Sequence, residues 1–224
     1  MAINLKSTAE VELNGVKCLV YGMSGSGKTK MIKTLPNPVI ISAESGLLAL
    51  CGTDIPYIEV KTYDDLQEAY AWITSEEGSK YDSIAIDSIS EIGEVVLSHE
   101  RKVNKDGRAA YGELAIKMLE LMRAFRDLSG KHVMFIAKAE KATDESGRVF
   151  YQPAMPGNKL SHQIPYLVDE VLALRAEKDS EGNVIRMLMC HTDGLWQAKD
   201  RSGKLDAWEE PDLGQIISKI SAKQ

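Results

Sequence analysis

Gly22 to Thr29 reads GMSGSGKT and sets glycine, lysine and a hydroxyl at the spacing G-x-x-x-x-G-K-[ST]. In a loop of Gly22, Met23, Ser24, Gly25, Ser26 and Gly27, backbone N–H groups can curl inward around phosphate oxygens. Lys28 is then placed to reach the β- and γ-phosphates, and the Thr29 hydroxyl to ligate Mg²⁺. The run follows an apolar strand and precedes a helical segment, whose N-terminus would add positive potential. A second oxygen donor for the metal stands in SIAIDSIS, where Asp87 ends another apolar strand. The expected ligands are ATP and Mg²⁺.

Hydrolysis also needs a group that orients or deprotonates water. Many nucleotide hydrolases put a glutamate directly after the strand aspartate, but here that position is Ser88, too weak a base. Two carboxylates remain. Glu91 lies one helical turn beyond Asp87, whereas Glu44 follows the strand in VIISAESGLLAL. Parallel strand ends converge on a ligand while helix faces diverge from it, which favours Glu44 and keeps Glu91 as the alternative.

These residues need a scaffold. Apolar strand-like runs occur at Val16–Tyr21, Val39–Ser42, Tyr57–Val60, Ser83–Asp87 and His132–Ala137. Between them lie helical segments at Lys28–Leu35, at Tyr63–Ser75 with Thr62 as N-cap and Asp65 as capping-box acid, at about Ile89–Glu100, and in YGELAIKMLELMRAFRDLSG. In the last, Leu114, Met118, Leu121, Met122 and Phe125 share one face. Such alternation predicts an α/β, doubly wound, mostly parallel sheet. Beyond residue 165, Tyr166–Arg175 and Val184–His191 flank KDSEGN and predict an antiparallel hairpin extending that sheet, followed by a helix at Pro211–Ile220. One domain is expected over 1–224: an arm at 1–15, a nucleotide-binding core at 16–165, and the hairpin and C-terminal helix at 166–224.

The 224 residues are 44% apolar and 27% charged, enough to bury a full core. No stretch approaches the roughly 18 apolar residues of a membrane span, and MAINLKSTAE lacks the features of a signal peptide, so a cytoplasmic location without membrane attachment is expected. Cys18, Cys51 and Cys190 are isolated, which fits reduced thiols and no zinc site. A net charge of −6 argues against a broadly basic DNA-binding face and leaves local basic segments.

IISAESGLLAL resembles the strand of RecA-type recombinases that carries their catalytic glutamate, and IAIDSISEI resembles their segment in which serine also follows the aspartate. The helix and strand in MRAFRDLSGKHVMFIAKAE match in order those before their second DNA-binding loop. The similarity runs from about Val16 to Gly203, and with the short chain and the ending WQAKDRSGKL it is greatest to small phage-encoded RecA-like ATPases. That resemblance implies Glu44 as the catalytic base. It also implies a γ-phosphate sensor at the end of the fourth core strand, where Lys138 replaces the usual glutamine.

Lys199 and Arg201, two apart, would point the same way on a strand. RecA-like ATPases often carry such a pair here to reach a neighbouring subunit's γ-phosphate, making hydrolysis depend on assembly. Two further segments combine basic residues with glycine. HERKVNKDGRAAYGE carries Arg101, Lys102, Lys105, Arg108 and Tyr111; KAEKATDESGRVFYQPAMPGNK carries Lys141, Arg148, Phe150, Tyr151 and Lys159. Cations for phosphates and rings for base stacking suit single-stranded DNA. The expected protein is an ATP-hydrolysing, head-to-tail ring or filament that binds single-stranded DNA in phage recombination or annealing, in the bacterial host cytoplasm, with a phage single-strand-binding protein as a candidate partner. A nucleotide-switched module acting on protein partners is the rival; a small-molecule kinase would need a lid and acceptor pocket that the pattern does not offer.

Overall fold

Along each central strand, alternate residues face opposite apolar layers, and this period of two sets the architecture of the computed structural model, which describes residues 14–44 and 46–222. In chain order the elements are β1 (Lys17–Gly22), β2 (Pro38–Ser42), β3 (Tyr57–Glu59), α1 (Tyr63–Ile73), α2 (Glu76–Ser79), β4 (Ser83–Asp87), α3 (Ile89–Val103), α4 (Gly107–Arg126), β5 (His132–Thr143), β6 (Val149–Pro153), α5 (Asn158–Leu167), β7 (Glu170–Lys178), β8 (Val184–Met189), β9 (Lys199–Asp200), β10 (Trp208–Glu209) and α6 (Leu213–Ser221). Short 3₁₀ helices at Thr29–Thr34 and Leu47–Leu50 join β1 to β2 and β2 to β3.

Spatial order in the sheet is β10-β8-β7-β1-β5-β4-β2-β3, and the strands from β7 to β3 run parallel. β8, β9 and β10 add antiparallel pairing on the β7 side, and β6 folds back on the outer half of β5. Leu19, Tyr21, Ile41, Ile86 and Phe135 pack on one face against α1, α3, α4 and α5. Cys18, Val20, Ile40, Met134 and Ile136 pack on the other, against α6 and the 3₁₀ helices. The sheet is therefore buried on both faces, as its continuous apolar strands require.

Local chemistry places the element ends. Thr62 accepts from Asp65 N–H while Asp65 accepts from Thr62 N–H, a capping box that starts α1 as expected. On α4, Leu114, Met118, Met122 and Phe125 are fully buried, each contributing roughly 1.5–3 kcal/mol, while Leu121 is only partly covered.

Two expectations change, and the two basic segments take definite form. The segment after the phosphate loop is a six-residue 3₁₀ helix ending before Pro36, so little helix dipole is available there. The strand expected at Tyr166 begins at Glu170, because Asn158–Leu167 is a helix: Leu160 and Ile164, one turn apart, are buried in the core despite Pro165. The second basic segment is a β-hairpin, since β5 runs on to Thr143 and pairs with β6. In the first, only residues 104–106 separate α3 from α4. The arm expected at 1–15 lies, except for Asn14 and Gly15, outside the described residues. Among those residues no helix is long and apolar enough to cross a membrane.

Candidate nucleotide site

β1, β2, β4 and β5 all run toward the same edge of the sheet, so the residues that follow them collect there. A cavity of about 610 Å³ opens at that edge, lined by the phosphate loop together with Glu44, Asp87, Lys138 and Arg186. Gly22 is required by close approach, because a Cβ there would sit 2.5 Å from the Leu174 carbonyl oxygen of β7. Gly27 has φ +105°, a conformation that side chains rarely adopt. Lys28 Nζ donates to the Gly22 and Met23 carbonyls at 2.8 and 3.0 Å, which folds its ammonium over the loop. Burial lowers the Lys28 pKa, opposed by Asp87 and Glu44.

Thr29 Oγ1 donates to Asp87 Oδ2 at 2.7 Å. Asp87 is buried, and burial pushes its carboxyl up to about 6 against the opposing effects of the Thr29 hydrogen bond and Lys28. A hydroxyl and a carboxylate brought together in this way are hard oxygen donors that suit Mg²⁺, a cation that takes one or two protein ligands and completes its shell with water and phosphate. Among the described residues no group of three or more His, Cys, Asp or Glu is placed to hold a metal. The Ser26 hydroxyl is buried in the loop without a partner among the described residues.

Glu44 and Ser88 meet across the strand ends. Ser42 of β2 pairs with Asp87 of β4, and Ala43 N–H donates to the Asp87 carbonyl at 2.9 Å, which carries Glu44 over the end of β4. Ser88 Oγ donates to Glu44 Oε1 at 2.5 Å, and the same oxygen accepts from Glu91 N–H to cap α3. Glu91 itself pairs with Lys138 and does not line the cavity. That hydrogen bond raises the Lys138 pKa.

Lys199 and Arg201 lie elsewhere. β9 pairs with Glu170 and Val171 at the start of β7, about 13 Å along the strands from the phosphate loop on the strand-rise scale, so neither serves its own site. Both reach the same segment of their own chain. Lys199 Nζ donates to the Pro165 and Val168 carbonyls, both at 2.6 Å, and Arg201 pairs with Asp169 at 2.8 Å while half its side chain stays exposed. Lys199 is thus committed to holding the end of α5, and Arg201 lines a separate cavity of about 700 Å³ at the opposite sheet edge.

The basic segments divide as well. Tyr151 stacks on Trp196, with centroids 4.3 Å apart and planes at 14°, so its ring is taken up inside the protein. Arg148 donates to the Gly194 carbonyl, Arg101 donates to Tyr111 at 3.2 Å, and Phe150 is half-buried near His162. Lys102, Lys105, Arg108, Lys141 and Lys159 are exposed.

Arg186, on β8, was not singled out by sequence; its only signal is one cation within the apolar run VIRMLM. Its Nε donates to the Ser26 carbonyl at 3.0 Å.

A parallel sheet with this loop after a central strand, and a carboxylate at the end of a parallel strand facing the loop threonine, defines a P-loop nucleoside triphosphatase. The chain belongs to the AAA domain family, whose model matches residues 14–202. No curated protein matches the sequence.

Proposed function

We propose that the protein binds Mg-ATP and hydrolyses it, with Glu44 as the group that activates water. The supporting observation is the convergence of Lys28, Thr29, Asp87 and Glu44 on one cavity, while the competing Glu91 is held by Lys138. The loop N–H groups and Lys28 bind the phosphates; Thr29 and Asp87 would hold Mg²⁺, which would offset phosphate charge when bound. Glu44 takes a proton from water as its oxygen bonds to the γ-phosphorus, and the bond from that phosphorus to the β-phosphate bridging oxygen breaks, giving ADP and phosphate. Ser88 orients Glu44 through its hydroxyl.

We further propose, from the resemblance to RecA-type recombinases, that copies assemble head to tail and engage single-stranded DNA in phage recombination or annealing, with an accessory single-strand-binding protein as a candidate partner. Arg201, exposed at the edge opposite the phosphate loop, is the residue that would meet a neighbour's nucleotide. Lys105, Arg108 and Lys141 are the exposed cations available to a phosphate backbone. The withdrawal of Tyr151 and Arg148 into intramolecular contacts favours, as a second reading, a nucleotide-switched module acting on protein partners.

Fluorescence anisotropy with labelled oligo-dT, with and without ATP, separates the two. Salt-sensitive binding that weakens on Lys105→Ala/Arg108→Ala supports the DNA reading. Its absence under both conditions, with ATPase activity present, selects the partner module.

A further inference from the structure

The β7–β8 hairpin brings one cation to the nucleotide cavity that the phosphate-loop motif does not include. Arg186 is held there at a defined point: its Nε donates to the Ser26 carbonyl of the loop at 3.0 Å. Its Cδ lies 3.4 Å from where a Gly27 Cβ would stand, so the side chain is laid across the residue immediately before Lys28. Arg186 lines the same cavity as Lys28, Thr29, Glu44 and Asp87. Among the described residues neither Nη atom hydrogen-bonds to the protein, and no carboxylate lies within ion-pair distance.

A guanidinium with one nitrogen fixed and two free is an unusual surface cation. Long side chains on an exposed hairpin ordinarily remain mobile or pair with a nearby acid, as Arg175 does with Glu177 and Asp193 on the adjacent strand. Here the anchor is a neutral carbonyl of the phosphate loop, and the positive charge is left uncompensated at the cavity. Guanidinium groups bind phosphate through paired, charge-assisted N–H···O bonds. We propose that Arg186 is a phosphate-binding residue of the nucleotide site, supplied in cis by the β7–β8 hairpin, whose Nη groups bind phosphate oxygens while Nε holds the loop.

The proposal rests on the nucleotide reading above, and a single substitution separates the two roles of the side chain. In Arg186→Gln the amide nitrogen occupies the position of Nε, so the hydrogen bond to Ser26 survives, while both Nη groups and the charge are lost. Binding of ADP and of a non-hydrolysable ATP analogue is measured by calorimetry on the wild-type chain and on Arg186→Gln, beside the thermal midpoint of each without nucleotide. The expected result is a Kd raised about tenfold or more for both ligands, with an unchanged midpoint. Arg186→Lys, which keeps charge but not the fork, should fall between them. Equal affinities for wild type and Arg186→Gln would overturn the role of Arg186 alone. So would an affinity loss accompanied by a fallen nucleotide-free midpoint, since that marks a loop prop. A wild-type chain that binds neither nucleotide would instead sink the nucleotide-site reading.

Discussion

Ser88 Oγ donates a hydrogen bond to Glu44 Oε1 at 2.5 Å, joining the residue after Asp87 to the carboxylate just beyond the end of the neighbouring strand. The position that many nucleotide hydrolases fill with glutamate is therefore used to hold a glutamate that comes from β2. The same hydroxyl caps α3, so cap and carboxylate are fixed by one side chain.

Glu44→Gln is expected to retain nucleotide binding and lose about 10²–10⁴-fold in turnover, the range for a general base. Ser88→Ala should bind nucleotide normally and turn over more slowly than wild type, and Glu91→Gln should stay within a few-fold of wild type by the same scale. Steady-state phosphate release and equilibrium binding on the three variants decide the matter; a dead Glu91→Gln beside an active Glu44→Gln would reverse the assignment.

Asp87→Asn keeps an acceptor for Thr29 Oγ1 and removes the negative charge. Wild-type affinity for ATP should fall when EDTA removes Mg²⁺, whereas the variant should bind alike in both conditions. Because burial raises the Asp87 pKa to about 6, its ionised form costs stability at pH 8. The nucleotide-free variant should therefore be more stable there, by on the order of 2 kcal/mol, in urea unfolding.

Lys199→Ala and Arg201→Ala should part company. The first leaves the Pro165 and Val168 carbonyls without their donor and is expected to cost about 1–3 kcal/mol in denaturant unfolding. The second loses a partly exposed pair worth about 0–1 kcal/mol. If Arg201 completes a neighbour's site, wild-type specific ATPase activity rises with protein concentration and that of Arg201→Ala does not.

Glu170 faces Asp200 beneath β9, and burial together with that second carboxyl raises its pKa to about 8, opposed by the Ser202 and Arg201 N–H groups. The folded protein holds this proton more tightly than the unfolded chain. The contribution is thus fully present below about pH 4.5 and is lost as pH rises through about 8. Lys17, lowered to about 8 by burial, has the opposite slope between about 8 and 10.5. Measured by thermal unfolding between pH 5 and 8, the midpoint of Glu170→Gln should rise relative to wild type as pH increases; a constant difference would refute this linkage.

Much of the site was legible because its chemistry is local. GMSGSGKT brings its own backbone curvature, lysine and hydroxyl within eight residues, and an apolar strand ending in Asp87 needs only the period of two to be read. The capping box of α1 and the apolar face of α4 were legible for the same reason, their partners being three or four residues apart. By contrast, α5 was missed because Pro165 marks a helix break locally, while the burial of Leu160 and Ile164 that sustains the helix comes from distant elements.

The sequence by itself determined the phosphate loop, the strand aspartate and the alternation that makes a parallel sheet, since each rests on spacing within one segment. Only the tertiary structure decided that Glu44 meets Ser88 and Glu91 meets Lys138, that Lys199 closes on α5, that Tyr151 is spent on Trp196, and that Arg186 reaches the phosphate loop. Those pairings join residues far apart in the chain, through strand register and crossover, and no local periodicity encodes which partner a long side chain finds.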